Sequence, residues 1–261
     1  MEHLPGKFVW FEHVSSDTAK ARKFYEPLFN WHTESMPMGG ERYAMILNGS
    51  VGIGGLRTAR GGKRAHWLAY LSVDDVDAAW SAALAAGARA IEAPADFPPV
   101  GRGATLADPS GAVLAIWKSR DGDRPDTTQS TPGEWYWNEL WTHDEIGALA
   151  FYQRLVGYSH ESMDMGPAGT YYVLKKDGVA RAGMMRATQP RAPSMWLPYV
   201  AVEDCDAVAS RTPRLGGEVL KSPADIPGVG RFAVLADPVG AAIAVIKPLP
   251  ATTTPTETPS A

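Results

Sequence analysis

The chain has 261 residues, of which 45% are hydrophobic and 21% charged, the balance of an ordinary globular protein. Its net charge of −4, with no block of Lys and Arg, argues against a nucleic-acid partner, and no apolar run reaches the ~18 residues that a membrane span needs. A polar start and a lone cysteine, Cys205, argue against a signal peptide, a disulfide and a cysteine metal site, so we expect a cytoplasmic protein.

The first sixty residues predict a strand, a helix and three more strands. Lys7–Val14 is aromatic and β-branched, as strands are. Asp17 offers a helix N-cap, and apolar residues at helical spacing predict a helix over Thr18–Phe29 in which Pro27 indicates a kink or an early stop. The next region, His32–Leu56, alternates in short pieces, with breaks expected at three glycine-containing pairs: Gly39-Gly40, Asn48-Gly49 and Gly54-Gly55.

The same order of elements recurs three more times. The predicted strand–helix pairs are His66–Val73 with Val76–Ala86, Glu134–Trp141 with Asp144–Val156, and Ser194–Val202 with Asp204–Leu215. Each pair is followed by a stretch that predicts further strands: Ala90–Lys118, Ser159–Met185 and Glu218–Lys247. Each half of the chain therefore holds two βαβββ units.

A repeat establishes the duplication directly. Pro94–Ser119 and Pro223–Pro248, offset by 129 positions, agree at 16 of 26 residues, including Asp-Pro-x-Gly at Asp108 and Asp237. The predicted organisation is a domain over 6–118, a polar, turn-rich linker over 119–133 and a second domain over 134–248. The low-complexity segment 249–261 predicts a disordered tail.

These features resemble the vicinal oxygen chelate superfamily, which comprises glyoxalase, bleomycin-resistance and extradiol-dioxygenase-like proteins, and in particular its two-domain glyoxalase-like branch. The resemblance rests on the capping Asp17 and Asp144, the Phe-Tyr pairs at Phe24 and Phe151, the Asp-Pro-x-Gly turns and the strand Trp137-Asn-Glu139. It covers residues 7–118 and 134–248. The implied fold is α+β, with four βαβββ modules that form two open eight-stranded cups.

The resemblance also implies a divalent metal in each cup, held by His, Gln or Glu of the first and last strands. Counting from the capping and turn aspartates, the aligned positions hold Trp10, Leu68, Ala115, Trp137, Leu197 and Ala244. The last strands of the first and third modules, near Gly54–Leu56 and Gly183–Met185, offer no donor either. Because none of these residues is a metal ligand, we expect no metal and no other cofactor.

Strand alternation predicts what lines the cups instead. If Trp10 faces the cup, so do Phe8 and Glu12; in the second half, Trp135, Trp137 and Glu139 share a face. The paired strand adds His66, Leu68 and Tyr70 in one cup and Met195, Leu197 and Tyr199 in the other. Each cup would then hold tryptophan, tyrosine and one carboxylate, which is typical of a small-molecule site.

We assign Glu12 and Glu139 as candidate catalytic bases, since desolvation in an apolar cup disfavours a carboxylate's charge. The candidate ligand-binding residues are Trp10, Leu68, Tyr70, Arg102, Trp137, Leu197, Tyr199 and Arg231. The structural alternatives stay open: the aromatic residues would be core packing, the glutamates would lie on a solvated face if the register slips by one, and the arginines would pair with Asp96 and Asp225.

The expected function is metal-independent binding of a small organic molecule by a monomer or homodimer, as the resemblance to bleomycin-resistance proteins implies. A lyase or isomerase of the glyoxalase type, or an oxygenase or hydroxylase, is the alternative, with Arg102, Arg231, Tyr70 or Tyr199 stabilising an oxyanion. A non-catalytic interaction scaffold is the third. The sequence leaves open which modules pair to form a cup.

Overall fold

A computed structural model describes residues 1–38, 41–59, 64–127 and 131–250. The first half holds β1 (Phe8–Ser15), α1 (Thr18–Phe29), β2 (Trp31–Met38), β3 (Glu41–Asn48), β4 (Val51–Thr58), β5 (His66–Ser72), α2 (Val76–Ala85), β6 (Arg89–Phe97), β7 (Gly101–Ala107) and β8 (Val113–Ser119). The second holds β9 (Trp135–Thr142), α3 (Glu145–Val156), β10 (Ser159–Asp164), β11 (Thr170–Lys176), β12 (Val179–Arg186), β13 (Met195–Ala201), α4 (Cys205–Arg211), β14 (Glu218–Ile226), β15 (Gly230–Ala236) and β16 (Ala242–Pro248).

The strands form two open, mixed eight-stranded sheets, so the fold is α+β as predicted. Their orders are β2-β3-β4-β1-β5-β8-β7-β6 and β10-β11-β12-β9-β13-β16-β15-β14. In both sheets the first strands of two modules meet antiparallel at the centre, β1 against β5 and β9 against β13. Each cup is therefore built from two modules of the same half, which settles the pairing that the sequence left open.

Helix limits follow local chemistry. Asp17, Asp75, Asp144 and Asp204 cap the four helices by accepting backbone N–H bonds. Pro27 lies within α1 without ending it. The fourth helix is shorter than predicted: Pro213 follows it, and the chain continues as a short 3-10 helix over Pro213–Leu215.

The glycine breaks have different outcomes. Gly49 lies in the predicted turn between β3 and β4, with a left-handed φ of 59°. The break predicted at Gly54-Gly55 is wrong, because both residues lie inside β4 and pair with β1. Gly39-Gly40 lies outside the described residues, as does most of the predicted tail.

The helix-bearing faces of the two sheets pack against each other. One core cluster joins Phe24 and Leu28 of α1 to Val208 of α4 and Val245 of β16, and a second joins α2 to α3. The opposite sheet faces, which we call the cup faces, therefore point away from the centre of the molecule. No helix within the described residues is long and apolar enough to cross a membrane.

Two buried hydrogen-bond clusters connect the halves at related positions. The Tyr152 hydroxyl of α3 donates to Asp108 Oδ2 at 2.9 Å, and Trp196 Nε1 donates to that hydroxyl at 2.9 Å. In the other cluster, Tyr25 donates to Asp237 Oδ2 at 3.0 Å. The Phe-Tyr and Asp-Pro-x-Gly motifs thus meet across the halves, in addition to their roles in a helix and a turn.

The second cluster also contains His13, whose Nε2 lies 2.6 Å from Asp237 Oδ2. Burial alone would raise the pKa of Asp237, but the hydrogen bond and charge of His13 hold it below its usual range. Asp108 faces no cation, because β9 carries Leu140 where β1 carries His13, and burial raises the pKa of Asp108. The two clusters therefore share a geometry and differ in charge.

The predicted linker is packed against the domains in its described part. Asp123 is buried and accepts hydrogen bonds from the Leu4 backbone N–H at 2.7 Å and from Ser72 Oγ at 2.6 Å. Asp126 pairs with Lys7 of the first half at 3.0 Å and with Arg181 of the second at 2.7 Å. The linker therefore helps to hold the halves together.

Candidate ligand-binding cups

Irregular pairing changes which first-strand residues face the cups. The register shifts between Phe8 and Trp10, and a matching shift lies opposite the residues from Trp135 to Trp137. As a result Phe8 packs against Trp196 and Trp135 packs against Phe11, with ring centroids 4.7 Å and 4.3 Å apart, both in the central core. The prediction that Phe8 and Trp135 line the cups is wrong, because a β-bulge reverses the alternation.

In the first cup, three groups contact Glu12, which is only 4% exposed, and a fourth supports one of them. The Tyr43 hydroxyl donates to Oε1 at 2.9 Å and the Tyr70 hydroxyl donates to Oε2 at 2.7 Å. Arg57 Nε lies 2.8 Å from Oε2, an ion pair in which the N–H does not point squarely at the oxygen. Trp10 Nε1 donates to the Tyr43 hydroxyl at 3.0 Å.

Arg57 carries the charge network outward. Its Nη1 lies 3.0 Å from Glu92 Oε1, and Thr105 Oγ1 donates to Glu92 Oε2 at 2.7 Å. Burial alone would lower the pKa of Arg57, but the charge of Glu12 raises it above its usual value. Glu12 is therefore a carboxylate held in place by a cation and two hydroxyls.

The second cup repeats the tyrosines without the cation. Tyr199 donates to Glu139 Oε1 at 3.0 Å, Trp141 Nε1 donates to the same oxygen at 2.6 Å, and Tyr171 also hydrogen-bonds to Glu139. Trp137 Nε1 donates to the Tyr171 hydroxyl at 3.0 Å, as Trp10 does to Tyr43. The carboxylates and tyrosines thus recur in both cups.

The register shows what replaces Arg57. Arg57 pairs with Val14 on β1, and the equivalent pair in the second sheet is Met185 with Trp141. Arg186, one residue further on, points to the helix side, where its Nη2 lies 2.8 Å from Glu145 Oε2. The indole of Trp141 therefore occupies the place of the guanidinium, and among the described residues no charged group pairs with Glu139 there.

Within the described part of the chain, Glu139 lacks an ion pair of the kind that Glu12 makes with Arg57, and its pKa is raised. Burial raises the pKa of Glu139, and the hydrogen bonds from Trp141, Tyr171 and Tyr199 only partly offset this. Burial, followed by the charge of the neighbouring glutamate, also raises the pKa of all four tyrosines well above the usual range, so they are hydrogen-bond donors at neutral pH: Tyr43, Tyr70, Tyr171 and Tyr199. The glutamate is therefore the titrating group of the second cup.

One glycine in each cup makes room for a tyrosine. Gly55 pairs with Glu12 and Gly183 pairs with Glu139. A Cβ at either position would lie 1.9 Å from the hydroxyl of Tyr43 or Tyr171. Gly55, where the sequence suggested a break, thus allows close contact inside a strand, and Gly183 does the same in the second cup.

Gly183→Ala is expected to displace Tyr171 from Glu139 and to destabilise the protein by about 2 kcal/mol, the cost of a lost buried hydrogen bond plus steric strain. Urea unfolding measures the change. Gly178→Ala is a control for the backbone, because nothing lies near its Cβ, although its φ of 79° adds strain. Restored stability in Gly183→Ala/Tyr171→Phe would support the contact; a Gly183→Ala variant as stable as wild type would contradict it.

The other predicted site residues fall into two groups. Leu68 and Leu197 are fully buried opposite Glu12 and Glu139, so they form the floor of the cups. Arg102 lies outside the cup, where its guanidinium pairs with Asp77 and Asp96, each at 2.8 Å. Arg231 repeats this with Asp206 at 2.6 Å and Asp225 at 3.0 Å. The arginines therefore form the ion pairs with Asp96 and Asp225 that the structural alternative predicted, and they project on the helix side of the sheet, away from the cup face.

The cups do not fit the divalent metal that the resemblance implies. Each brings one carboxylate to its floor, and tyrosine hydroxyls and an indole or guanidinium already occupy the oxygens. Across the part of the chain that the structure describes, no group of three His, Cys, Asp or Glu side chains could hold a metal ion. A metal needs several such donors converging on one point.

The sequence did not predict four of the residues that contact the carboxylates: Tyr43, Arg57, Trp141 and Tyr171. Tyr43 and Tyr171 lie one strand away from the counted positions, on β3 and β11. Their recurrence at an offset of 128 was the available signal. Arg57 and Arg186 share the offset of 129, which suggests equivalence, but the strand register shows that they differ in direction.

Comparison with known proteins gives a consistent picture. Residues 7–116 match the model of the Glyoxalase/Bleomycin resistance protein/Dioxygenase superfamily. CFP32 of Mycobacterium bovis, whose name assigns it provisionally to the glyoxylases, is 36% identical over 95% of this chain and 97% of its own length. The anthracycline biosynthesis protein DnrV of Streptomyces peucetius is 32% identical over 93% and 94%. The Mn(II)-bound glyoxalase of Novosphingobium aromaticivorans superimposes with a TM-score of 0.64 at 16% identity, over 93% of this chain and 82% of its own.

Proposed function

Because the chain belongs to the glyoxalase/bleomycin resistance protein/dioxygenase superfamily, we propose that it binds a small aromatic organic molecule in its cups without a metal. The observation that carries the proposal is the pair of buried carboxylates, each held by two tyrosine hydroxyls among aromatic side chains. Such a site offers apolar area for a ring and a few fixed polar groups for orientation.

The aromatic lining favours a flat ligand. In the first cup Trp117 lies against Tyr70 at 5.7 Å and Phe97 at 5.8 Å, and Phe97 is 46% exposed. In the second, Phe232 stacks with Tyr199 at 6.5 Å. The name of DnrV connects that relative with anthracyclines, which are polycyclic aromatic ketones. A fused-ring ketone or amide is the ligand class that this lining suits best.

Binding of 2-naphthamide and 1-hydroxyanthraquinone to the full chain, followed by calorimetry and the shift in Tm, tests the proposal. Trp137→Ala is expected to weaken binding in the second cup by about tenfold, the loss of one aromatic contact. Tyr136→Ala is the matched control, since Tyr136 neighbours Trp137 and is exposed. If neither probe binds, the proposal is contradicted and the scaffold alternative is favoured.

A lyase or isomerase is the second candidate, and one observation favours it. Each carboxylate touches a tyrosine hydroxyl, so a base and a hydrogen-bond donor for an oxyanion lie side by side. In such a reaction a glutamate oxygen takes a proton from the carbon beside a ketone, the C–H electron pair forms the new C=C bond, and the π electrons of the C=O bond move to the oxygen. Once the glutamate is protonated, the tyrosine hydroxyl can donate its hydrogen bond to the enolate oxygen instead of to the glutamate.

Deuterium exchange into 2-hydroxyacetophenone in D2O measures this step. We expect Glu12→Gln/Glu139→Gln to abolish the exchange and to leave 2-naphthamide binding within about threefold, since an amide keeps the shape of the carboxylate. Exchange that persists in the double variant would exclude these glutamates as bases. The oxygenase or hydroxylase alternative stays an expectation of the resemblance alone.

A further inference from the structure

Equivalent positions on β6 of the first cup and β14 of the second carry side chains of opposite charge. Glu92 pairs in register with Thr105, and Lys221 pairs with Val234, at the repeat offset of 129. Both side chains lie on the cup face: Glu92 contacts Arg57 at 3.0 Å, and Lys221 Nζ lies 5.5 Å from the centre of the Phe232 ring. An acid on one cup wall is thus a base on the other.

The wall that carries Lys221 leads to Glu139. Phe232 stacks on Tyr199, and Tyr199 donates to Glu139. The corresponding wall of the first cup is a chain of ion pairs from Glu92 through Arg57 to Glu12. Along this wall the first cup therefore carries Glu92, Arg57 and Glu12, whereas the second carries Lys221 and Glu139.

The groups that face Glu139 are few. On the neighbouring strands they are the hydroxyls of Tyr171 and Tyr199, the indole of Trp141, and the apolar Met185 and Leu197. The charged residues further out are committed to partners: Arg186 pairs with Glu145, and Lys175 pairs with Glu161 at 2.6 Å. Lys221 is thus the basic group that the described cup wall connects to Glu139, through Phe232 and Tyr199.

We infer that the second cup takes small aromatic anions, such as aryl carboxylates, and that Glu139 binds a proton as the anion enters. This rests on the proposed function and names the ligand class of one cup. Lys221 attracts the anion, the aromatic wall holds its ring, and the protonated glutamate offers a hydrogen bond in place of a repelling charge. Burial already raises the pKa of Glu139, which makes the proton uptake easier. The first cup differs, because Arg57 already pairs with Glu12 there, with its Nε 2.8 Å from Oε2.

Calorimetry of the full chain with three matched probes tests the inference: 2-naphthoate, neutral 2-naphthamide and cationic 2-naphthylmethylamine. We expect 2-naphthoate to bind to one site with uptake of up to one proton, measured in buffers of different ionisation enthalpy. Above the pKa of Glu139 its affinity should fall about tenfold per pH unit, because the anion binds to the protonated form. The neutral probe should show no such slope.

Two variants locate the effect. Lys221→Glu is expected to weaken 2-naphthoate about tenfold and to change 2-naphthamide less than twofold, whereas Glu92→Gln in the first cup should leave the 2-naphthoate site unchanged. Glu139→Gln should bind 2-naphthoate with no pH slope and no proton uptake. Both Lys221 and Glu92 are exposed, so their variants decide the matter even if Glu139→Gln does not fold.

The outcomes separate this inference from the proposed function. If 2-naphthamide binds and 2-naphthoate does not, or binds without proton uptake, the inference is wrong and the proposed function stands. If 2-naphthoate binds equally to wild type and Lys221→Glu, its site is not the second cup and the inference is also wrong. If none of the three probes binds, both fail.

Discussion

Replacing Glu12 by glutamine is expected to destabilise the protein, whereas the same replacement at Glu139 is expected to stabilise it at pH 8. Glu12→Gln removes the buried one of the two carboxylates that pair with the half-buried Arg57, at a cost of about 1–3 kcal/mol. Glu139→Gln removes a buried charge that pairs with no cation among the described residues, and it keeps an oxygen that can accept the bonds from Trp141 and Tyr199, so we expect a gain of about 1 kcal/mol.

The pH dependence follows from the sign of the shift. The pKa of Glu139 is higher in the folded than in the unfolded protein. Its contribution to stability is therefore fully present below the unfolded pKa and is lost as the pH rises through the folded pKa. The advantage of Glu139→Gln over wild type should grow from pH 5 to pH 8. Urea unfolding at both pH values measures it, and a destabilised Glu139→Gln at pH 8 would contradict the asymmetry of the cups.

Replacing His13 by leucine is expected to cost about 3–5 kcal/mol, because it leaves the Asp237 carboxylate buried without its imidazole partner. The second half of the molecule shows that a leucine is compatible with this position, since Leu140 occupies the equivalent place beside Asp108. The double variant His13→Leu/Asp237→Asn should recover a large part of the loss, because no charge remains to be compensated.

The stability of the wild type should also fall in acid, because protonation of Asp237 weakens its interaction with His13. The folded pKa of Asp237 is lowered, so its stabilising contribution is present above its unfolded pKa and is lost as the pH falls through the folded value. Chemical denaturation of wild type and both variants between pH 3 and roughly pH 7, a range that brackets the usual aspartate pKa, checks this. A His13→Leu variant that unfolds at the wild-type urea concentration would show that the ion pair adds nothing.

The sequence predicted the fold well because the signals were local and repeated. Capping aspartates, a helical apolar pattern and the Asp-Pro-x-Gly turns each report on a few neighbouring residues. The errors arose where tertiary context decided. Gly54 and Gly55 looked like a break, and the space that Tyr43 needs beside Glu12 explains why Gly55 is there.

The positions of the candidate residues were predicted in part, and their roles in binding or catalysis stay a prediction. Trp10, Glu12, Tyr70 and their second-half equivalents lie on the cup faces as the alternation indicated, while a bulge that no local pattern reveals moved Phe8 and Trp135 into the core. The difference between the cups was invisible, because it depends on an offset that is 127 for Glu12, 128 for Tyr43 and 129 for Tyr70. Only the strand register shows that Met185, and not Arg186, takes the place of Arg57.

The metal content of the purified protein tests the central claim most directly. The full chain would be produced in medium supplied with Mn, Fe, Ni and Zn and purified by gel filtration. Its metal content would then be measured by inductively coupled plasma mass spectrometry. Because the carboxylate of each cup is held by hydroxyl, indole or guanidinium groups, we expect far less than one metal ion per chain. One or more retained ions per chain, lost together with 2-naphthamide binding when a chelator is added, would contradict the account.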